Sequence, residues 1–166
     1  MGKNKAFFIL LVMVLFIVEV NGDELINKVV AFVDNEAITL ADLKEKYEKT
    51  LKVVPDTTLR QVAETMVNRL LLKQEGVRLK IVGDSDDEII NKYIDMSIRA
   101  DIVVNYEEVE AFFNKNRANF ADIELDSVRE DIEKLLIEEE VNKRLQAKVE
   151  ELKKRTYVEI HKLDAP

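Results

Sequence analysis

The sequence has no cysteine and no tryptophan, and only one histidine, two prolines and four glycines among its 166 residues. Without cysteine the chain can form no disulfide, and it has no thiol nucleophile and no cysteine-ligated zinc. A single histidine and few glycines leave little material for other metal sites or for phosphate-binding loops. These deficits predict a protein that works by binding, with no catalytic residues, no cofactor and no metal.

An excess of basic residues is also missing. The chain has 33 acidic and 25 basic side chains, which gives a formal net charge of −8. Neutralising the phosphates of DNA or RNA requires a basic face, so this charge argues against a nucleic-acid partner. A length of 166 residues fits one domain, or one domain with an arm, and excludes a large multidomain enzyme.

Residues 1–22 have the pattern of a secretory signal peptide. Two lysines precede an unbroken apolar run from Ala6 to Val18, and small residues follow where a signal peptidase would cleave. The run is shorter than the ~20 residues that a membrane-spanning helix needs, and Glu19 closes it, although an uncleaved anchor is the alternative. We expect residues 23–166 to be a periplasmic domain. The protein is expected to contact the membrane only through the signal segment, before that segment is cleaved.

Most of the exported chain shows helical periodicity. Thr39 and Asp42 form a variant capping box before apolar residues at helical spacing, and Asp56 or Thr57 is expected to cap a second, strongly amphipathic helix. Glycine often ends a helix, so Gly76 is the expected stop of the second one. Further helices are predicted to begin after Ser85 and Asn105, and a long one to run from Asp126 to Arg155, where neither glycine nor proline occurs.

Strand patterns occur near both ends of this domain. The β-branched and aromatic run Val29–Val33 is followed by a turn sequence and by residues 37–39, which predicts a short hairpin. Residues 157–161 alternate in polarity and predict a final strand. An unpaired buried strand would leave backbone groups without hydrogen bonds. We therefore predict a mainly α fold with a long C-terminal helix and a small antiparallel sheet joining the N-terminal hairpin to the C-terminal strand.

Catalytic and metal-binding patterns are weak. Asp84, Asp86 and Glu88 resemble the start of a calcium loop, but the central glycine and the final glutamate of that motif are missing. His161 lies on the predicted last strand without a second histidine nearby. No nucleophile elbow or phosphate loop is present. We predict that the protein is not an enzyme.

Several segments in order resemble the SurA-like periplasmic chaperones. The opening NKVVAFVDNEAITLADL is similar to that family's first strand, turn and helix, and AETMVNRLLLKQEG to its next helix. EEVEAFFNKNRANF resembles the segment that precedes the family's parvulin domain, and residues 127–160 resemble the long return helix and last strand. The resemblance extends from about Ile26 to Leu163 and implies a SurA N-terminal-like chaperone domain over residues 23–166.

The chain departs from this family at one point. Between Phe120 and Asp126, where relatives carry a parvulin domain of roughly a hundred residues, only five residues are present. No isomerase site residues exist to be carried over. The resemblance therefore implies an ATP-independent chaperone (a holdase) for unfolded outer-membrane or secreted proteins, without peptidyl-prolyl isomerase activity.

A holdase needs apolar surface outside its own core, and adaptable methionine and aromatic surfaces suit promiscuous binding. Candidate client-binding residues lie after the first helix, on the third helix and around the aromatic pair of the fourth: Leu51, Val53, Val54, Tyr93, Met96, Phe112, Phe113 and Phe120. An aromatic pair on an amphipathic helix is also a common core element. The competing interpretation is an exported scaffold or interaction module for one dedicated folded partner, and the long helix leaves a homodimer possible.

Overall fold

The computed structural model describes residues 28–120 and 122–163. The predicted signal segment, residues 1–22, lies outside the described residues. Within them the chain forms two strands, then a series of helices, and a last strand. The bounds are β1 Val29–Val33, β2 Glu36–Thr39, α1 Leu40–Leu51, α2 Leu59–Arg78, α3 Asp86–Ile94, a π-helix Asp95–Arg99, α4 Tyr106–Lys115, α5 Arg117–Phe120, α6 Leu125–Arg155 and β3 Val158–Ile160.

The predicted fold class is confirmed. The protein is mainly α, with a 31-residue C-terminal helix α6 and a three-stranded antiparallel sheet in the order β2-β1-β3. In the β1–β3 pair Ala31 lies opposite Ile160 and Val33 opposite Val158. The N-terminal hairpin and the C-terminal strand therefore meet in one sheet.

Capping residues fix where several helices begin. Thr39 and Asp42 form the predicted capping box of α1, and Asn105 with Glu108 forms a second one at the predicted start of α4. The prediction for α2 was wrong: Thr58, rather than Asp56 or Thr57, is the N-cap and pairs reciprocally with Gln61. Ser85 caps α3 by accepting from the backbone N–H of Glu88.

Gly76 lies inside α2, which continues to Arg78, so the predicted stop at this glycine was wrong. A Cβ atom at position 76 would come within 2.8 Å of Ile89 Cγ2 and 3.6 Å of Tyr93 Cβ. The absence of a side chain lets α3 approach α2 closely. This glycine therefore serves helix packing rather than helix termination.

The buried apolar residues of the described ranges form two separate cores. The larger one contains buried residues of the sheet, of α1 to α3, of the π-helix and of the C-terminal half of α6. The smaller one contains Val109, Phe113 and Ile132, with Phe112 and Phe120 packed against it. We call residues 28–100 and 141–163 the body and residues 101–120 and 122–140 the lobe. Helix α6 runs through both parts and joins them.

The body and the lobe are also connected through the π-helix and the residues that follow it. The π-helix continues α3 directly, and residues 102–105 have no regular secondary structure. Arg99, the last residue of the π-helix, pairs with Asp95 at 3.1 Å and with Glu138 of α6. Short π segments within helices occur frequently at functional sites. The surface beside this segment is therefore a candidate functional site.

Candidate functional site

A groove runs along α6 where the body meets the lobe. It consists of two adjoining clefts of about 480 and 520 Å³ that share Arg144. Helix α6 contributes lining residues from Leu136 to Glu151, which at 1.5 Å per residue span roughly 22 Å. We call this surface the α6 groove.

The wall opposite α6 changes along the groove. At the body end it consists of the end of α2, with Leu79, and of Tyr93, Ser97 and Ile98 from α3 and the π-helix. At the lobe end it consists of residues 101–104 and Glu108. The π-helix and the irregular segment after it therefore supply most of this second wall.

Apolar side chains in the groove range from buried to almost fully exposed. Ile98 is buried, Ile102 and Val104 are half-buried, and Val103 between them is 84% exposed. The backbone N–H of Ile102 donates to the carbonyl of Arg99 at 3.0 Å, which turns the chain out of the π-helix. Asn105 then caps α4. Val103 is thus held outward between two fixed points.

The body end of the groove contains a buried carboxylate with three cationic neighbours. Glu75 is only 5% exposed and accepts from Arg78 Nε at 2.7 Å and from Arg155 Nη2 at 2.7 Å, while Lys148 Nζ lies at 3.7 Å. Its hydrogen bond with Arg78, with the pairing to Arg155, lowers the pKa of Glu75 from 4.5 to about 2 despite the opposing effect of burial. Glu75 is therefore a structural anion that joins α2 to the end of α6.

Tyr93 packs beside this ion cluster. Its side chain is 1% exposed, and burial, together with the nearby charge of Glu75, raises the pKa of Tyr93 to about 12. The phenol is neutral throughout the physiological range. Tyr93 therefore contributes volume to the core beneath the groove and no acid–base chemistry.

The lobe end of the groove is acidic. Four carboxylates line it, from Asp101, Glu108, Glu139 and Glu140, against the cations Lys143 and Arg144. Arg144 Nε donates to Glu140 at 2.9 Å, which with Lys143 lowers the pKa of Glu140. Among the ion pairs of the described residues, none includes Asp101 or Glu139. The acidic end therefore keeps unpaired negative charge.

Two of the predicted client-binding residues are buried. Tyr93 is 1% exposed and Phe113 7% exposed, so both belong to cores and offer no surface. The ring centroid of Phe113 lies 4.9 Å from that of Phe120, and Arg117 lies over the Phe113 ring at 4.9 Å. Phe112 and Phe120 are half-buried against the same small core. The aromatic cluster of α4 and α5 therefore holds the lobe together.

The remaining predicted residues lie on the surface in two places. Leu51 is half-buried at the end of α1, while Val53 and Val54, at 80% and 50% exposed, lie in the following turn, outside the α6 groove. Met96, at 67% exposed, belongs to the π-helix and directly precedes the groove residues Ser97 and Ile98. Of the predicted residues that are exposed, only Met96 is adjacent to the groove; Tyr93 lies in its wall but is buried.

Residues that sequence reasoning missed are Leu79, Ile98, Ile102, Val103, Val104 and Leu136 as groove lining. One signal was available. Ile102-Val103-Val104 is an apolar β-branched run between Asp101 and Asn105 that is shorter than a typical strand and falls outside the helical periodicity. Its partial exposure depends on the π-helix, whose presence has no sequence signature.

A third cleft, of about 270 Å³, lies between α2 and α3. Four of its five charged lining residues are paired: Lys73 contacts Asp86 at 3.5 Å, and also Glu36 at 3.1 Å, and Arg69 pairs with Asp87. These pairs link α2 to the hairpin and to α3. The cleft therefore has a structural explanation.

No cluster of three metal-ligating side chains occurs among residues 28–120 and 122–163. None of the helices in the described part of the chain combines the length and apolar character needed to cross a membrane. Comparison of the chain with protein-family models and with curated proteins gave no match.

Proposed function

We propose that the protein is an ATP-independent periplasmic chaperone that holds unfolded outer-membrane or secreted proteins, without peptidyl-prolyl isomerase activity. The α6 groove is its client-binding surface. The observation that carries this proposal is the apolar run Ile102-Val103-Val104, held in an open groove with Val103 84% exposed. The ordered sequence resemblance to SurA-like chaperones and the export signal predicted for residues 1–22 support it.

The groove suits an extended polypeptide. A strand rises about 3.3 Å per residue, so the roughly 22 Å along α6 corresponds to about seven client residues. Unfolded outer-membrane proteins expose alternating apolar residues, which would present every second side chain to the wall that carries Ile98, Ile102 and Val103. Side chains on the other face of the client would stay in water.

The expected affinity is modest. Burying a few side chains such as Val103 and Leu79 gains about 1.5–3 kcal/mol each at full burial, whereas association and ordering cost roughly 4–15 kcal/mol. Binding in the micromolar range, with rapid release, is the expected result. Rapid release suits a holdase, because its clients must leave without an energy source.

The test is suppression of aggregation when a denatured outer-membrane protein is diluted into buffer. The wild-type protein is expected to suppress light scattering at severalfold excess. Val103→Asp should require about tenfold more protein for half-suppression, because the lost apolar contact is worth about 1.4 kcal/mol. Val82→Asp is the matched control, since Val82 is 79% exposed and lies outside the groove. No suppression by the wild-type protein would contradict the proposal.

The same assay distinguishes the α6 groove from the turn after α1 as the client-binding surface. Val53→Asp changes an equally exposed valine in the turn after α1. If it weakens suppression while Val103→Asp does not, the client surface is that turn rather than the groove.

A scaffold for one dedicated partner is the alternative function. It predicts that the protein does not suppress the aggregation of denatured proteins and that it captures a single folded partner in equal amounts.

A further inference from the structure

The net charge of the protein is concentrated in the lobe. Residues 101–140 contain 13 acidic and 4 basic side chains, a net charge of −9. Residues 28–100 and 141–163, the body, contain 16 acidic and 19 basic side chains, a net charge of +3. The boundary between the two charge regions falls within the α6 groove.

The groove itself repeats this asymmetry. At the body end Arg78, Arg144 and Lys148 face Glu75 and Glu151, and Glu75 is neutralised by its partners. The lobe end has four carboxylates against two cations. A polypeptide lying along the groove therefore passes from a weakly positive to a negative environment.

Two carboxylates at the lobe end are available to a ligand. Glu140 pairs with Lys143 and Arg144, and Glu108 accepts from the backbone N–H of Asn105 in the capping box. Asp101 and Glu139 are exposed, and within the described residues neither takes part in an ion pair. Both lie beside the apolar run that contains Val103.

We propose that the α6 groove selects extended apolar segments that carry lysine or arginine at one flank, with the basic flank beside Asp101 and Glu139. The inference rests on the proposed function, because it names the client class of the same groove. Salt limits its range: the Debye length is about 8 Å at physiological ionic strength, so only the one or two residues next to the apolar segment are sensed. The occupant is thus defined by an apolar centre and an adjacent positive charge.

The experiment measures the affinity of fluorescent peptides for the full chain. Three peptides share one seven-residue segment of alternating apolar residues and differ only in a two-residue flank of lysine, serine or aspartate, placed at either end in separate sets. At about 0.05 M salt the lysine flank should bind at least threefold tighter than serine, and serine tighter than aspartate. The differences should shrink to less than twofold at about 0.5 M salt, where charges are screened.

Two variants with the same change in net charge locate the effect. Asp101→Asn with Glu139→Gln should remove the lysine preference, so that the lysine-flanked and serine-flanked peptides bind this variant with affinities within twofold of each other. Asp122→Asn with Glu130→Gln changes two exposed lobe carboxylates outside the groove and should leave the preference intact. If only the Asp122→Asn, Glu130→Gln variant lost the lysine preference, the placement of the basic flank beside Asp101 and Glu139 would be overturned.

Other outcomes distinguish this inference from the proposed function. Equal binding of all three peptides, with aggregation still suppressed, would overturn the charge selectivity and leave the holdase proposal in place. Failure of every peptide to bind, together with failure to suppress aggregation, would overturn both. Tighter binding of the aspartate flank would reverse the inferred complementarity and reject the inference.

Discussion

Asp34 and Tyr157 exchange two hydrogen bonds across 123 residues of sequence. The backbone N–H of Asp34 donates to the carbonyl of Tyr157 at 2.8 Å, and the backbone N–H of Tyr157 donates to Asp34 Oδ1 at 3.0 Å. Asp34 has a φ of 49°, in the left-handed region that aspartate tolerates better than most residues. The turn of the hairpin is therefore also the point where the end of α6 is attached to the sheet.

Asp34→Ala is expected to lower the free energy of unfolding by about 1–2 kcal/mol. The variant loses the acceptor for Tyr157 and places alanine in a left-handed conformation. Chemical denaturation followed by circular dichroism measures the change. Asp34→Asn keeps an acceptor oxygen and the tolerance of positive φ, so it should stay within about 0.5 kcal/mol of the wild type. Equal losses in both variants would mean that the side-chain hydrogen bond is not responsible.

The ion cluster of Glu75 makes stability depend on pH in acid. Because the pKa of Glu75 is lowered from 4.5 to about 2 on folding, the unfolded chain takes up this proton first as pH falls. The stabilisation is complete above the unfolded value, is lost progressively between about pH 5 and pH 2, and amounts to at most about 3 kcal/mol. Stability below pH 5 should therefore fall faster than in a protein without this carboxylate.

Glu75→Gln tests this contribution. The variant should be less stable than the wild type by about 2–3 kcal/mol at pH 7, and the difference should shrink toward zero near pH 2. Denaturation midpoints measured from pH 7 to pH 2 give the difference curve. The control is Glu45→Gln, which removes an exposed carboxylate from an i,i+4 pair with Lys49 and should cost under about 0.5 kcal/mol. A gap between wild type and Glu75→Gln that does not change with pH would contradict the assignment.

Gly76→Ala is expected to destabilise the protein even though alanine favours a helix by about 1 kcal/mol over glycine. The new Cβ would meet Ile89 Cγ2 at 2.8 Å, so α3 must shift away from α2. A net loss of about 1–3 kcal/mol is the range for overpacking. In the Ile89→Ala background, which removes the opposing methyl group, the same substitution should become neutral or stabilising. Equal effects in both backgrounds would show that helix packing at this contact is not the reason for the glycine.

Phe113→Ala should loosen the lobe while leaving the body folded. Phe113 is one of three buried residues of the smaller core, and truncating a buried phenylalanine costs about 3–5 kcal/mol. Because the body has its own core, hydrogen exchange should accelerate in residues 106–115 and change little in β1. Uniform acceleration across both regions would mean that body and lobe unfold as one unit.

Local sequence signals predicted most of the fold. The capping residues Thr39, Ser85 and Asn105 lie where the structure has helix starts, and the absence of glycine and proline predicted α6 to within one residue of its observed start. The pairing of the N-terminal hairpin with the C-terminal strand followed from the rule that a strand must find a partner. The helix starts depend on contacts between residues close in sequence. The sheet depends on one requirement, that the backbone groups of the last strand form hydrogen bonds.

The site depends on features that have no local signature. Gly76 resembles a helix end until the position of Ile89 is known, and Tyr93 lies on an apolar stripe that could face a core or a client. Val103 becomes exposed because the π-helix redirects the chain at Arg99, and periodicity does not predict a π-helix. Tertiary packing therefore determines which apolar residues remain exposed to solvent.

Photo-crosslinking from within the groove tests the central claim most directly. A photoreactive amino acid is placed at Val103 or at Val82, two valines that are 84% and 79% exposed, and each protein is irradiated with a denatured porin and with the same porin folded in detergent. The proposed function predicts abundant adducts with the denatured porin at position 103, few at position 82, and few with the folded porin at either. Adducts that are as frequent at position 82 as at 103, or as frequent with folded as with denatured porin, would contradict the α6 groove as the binding site of a chaperone.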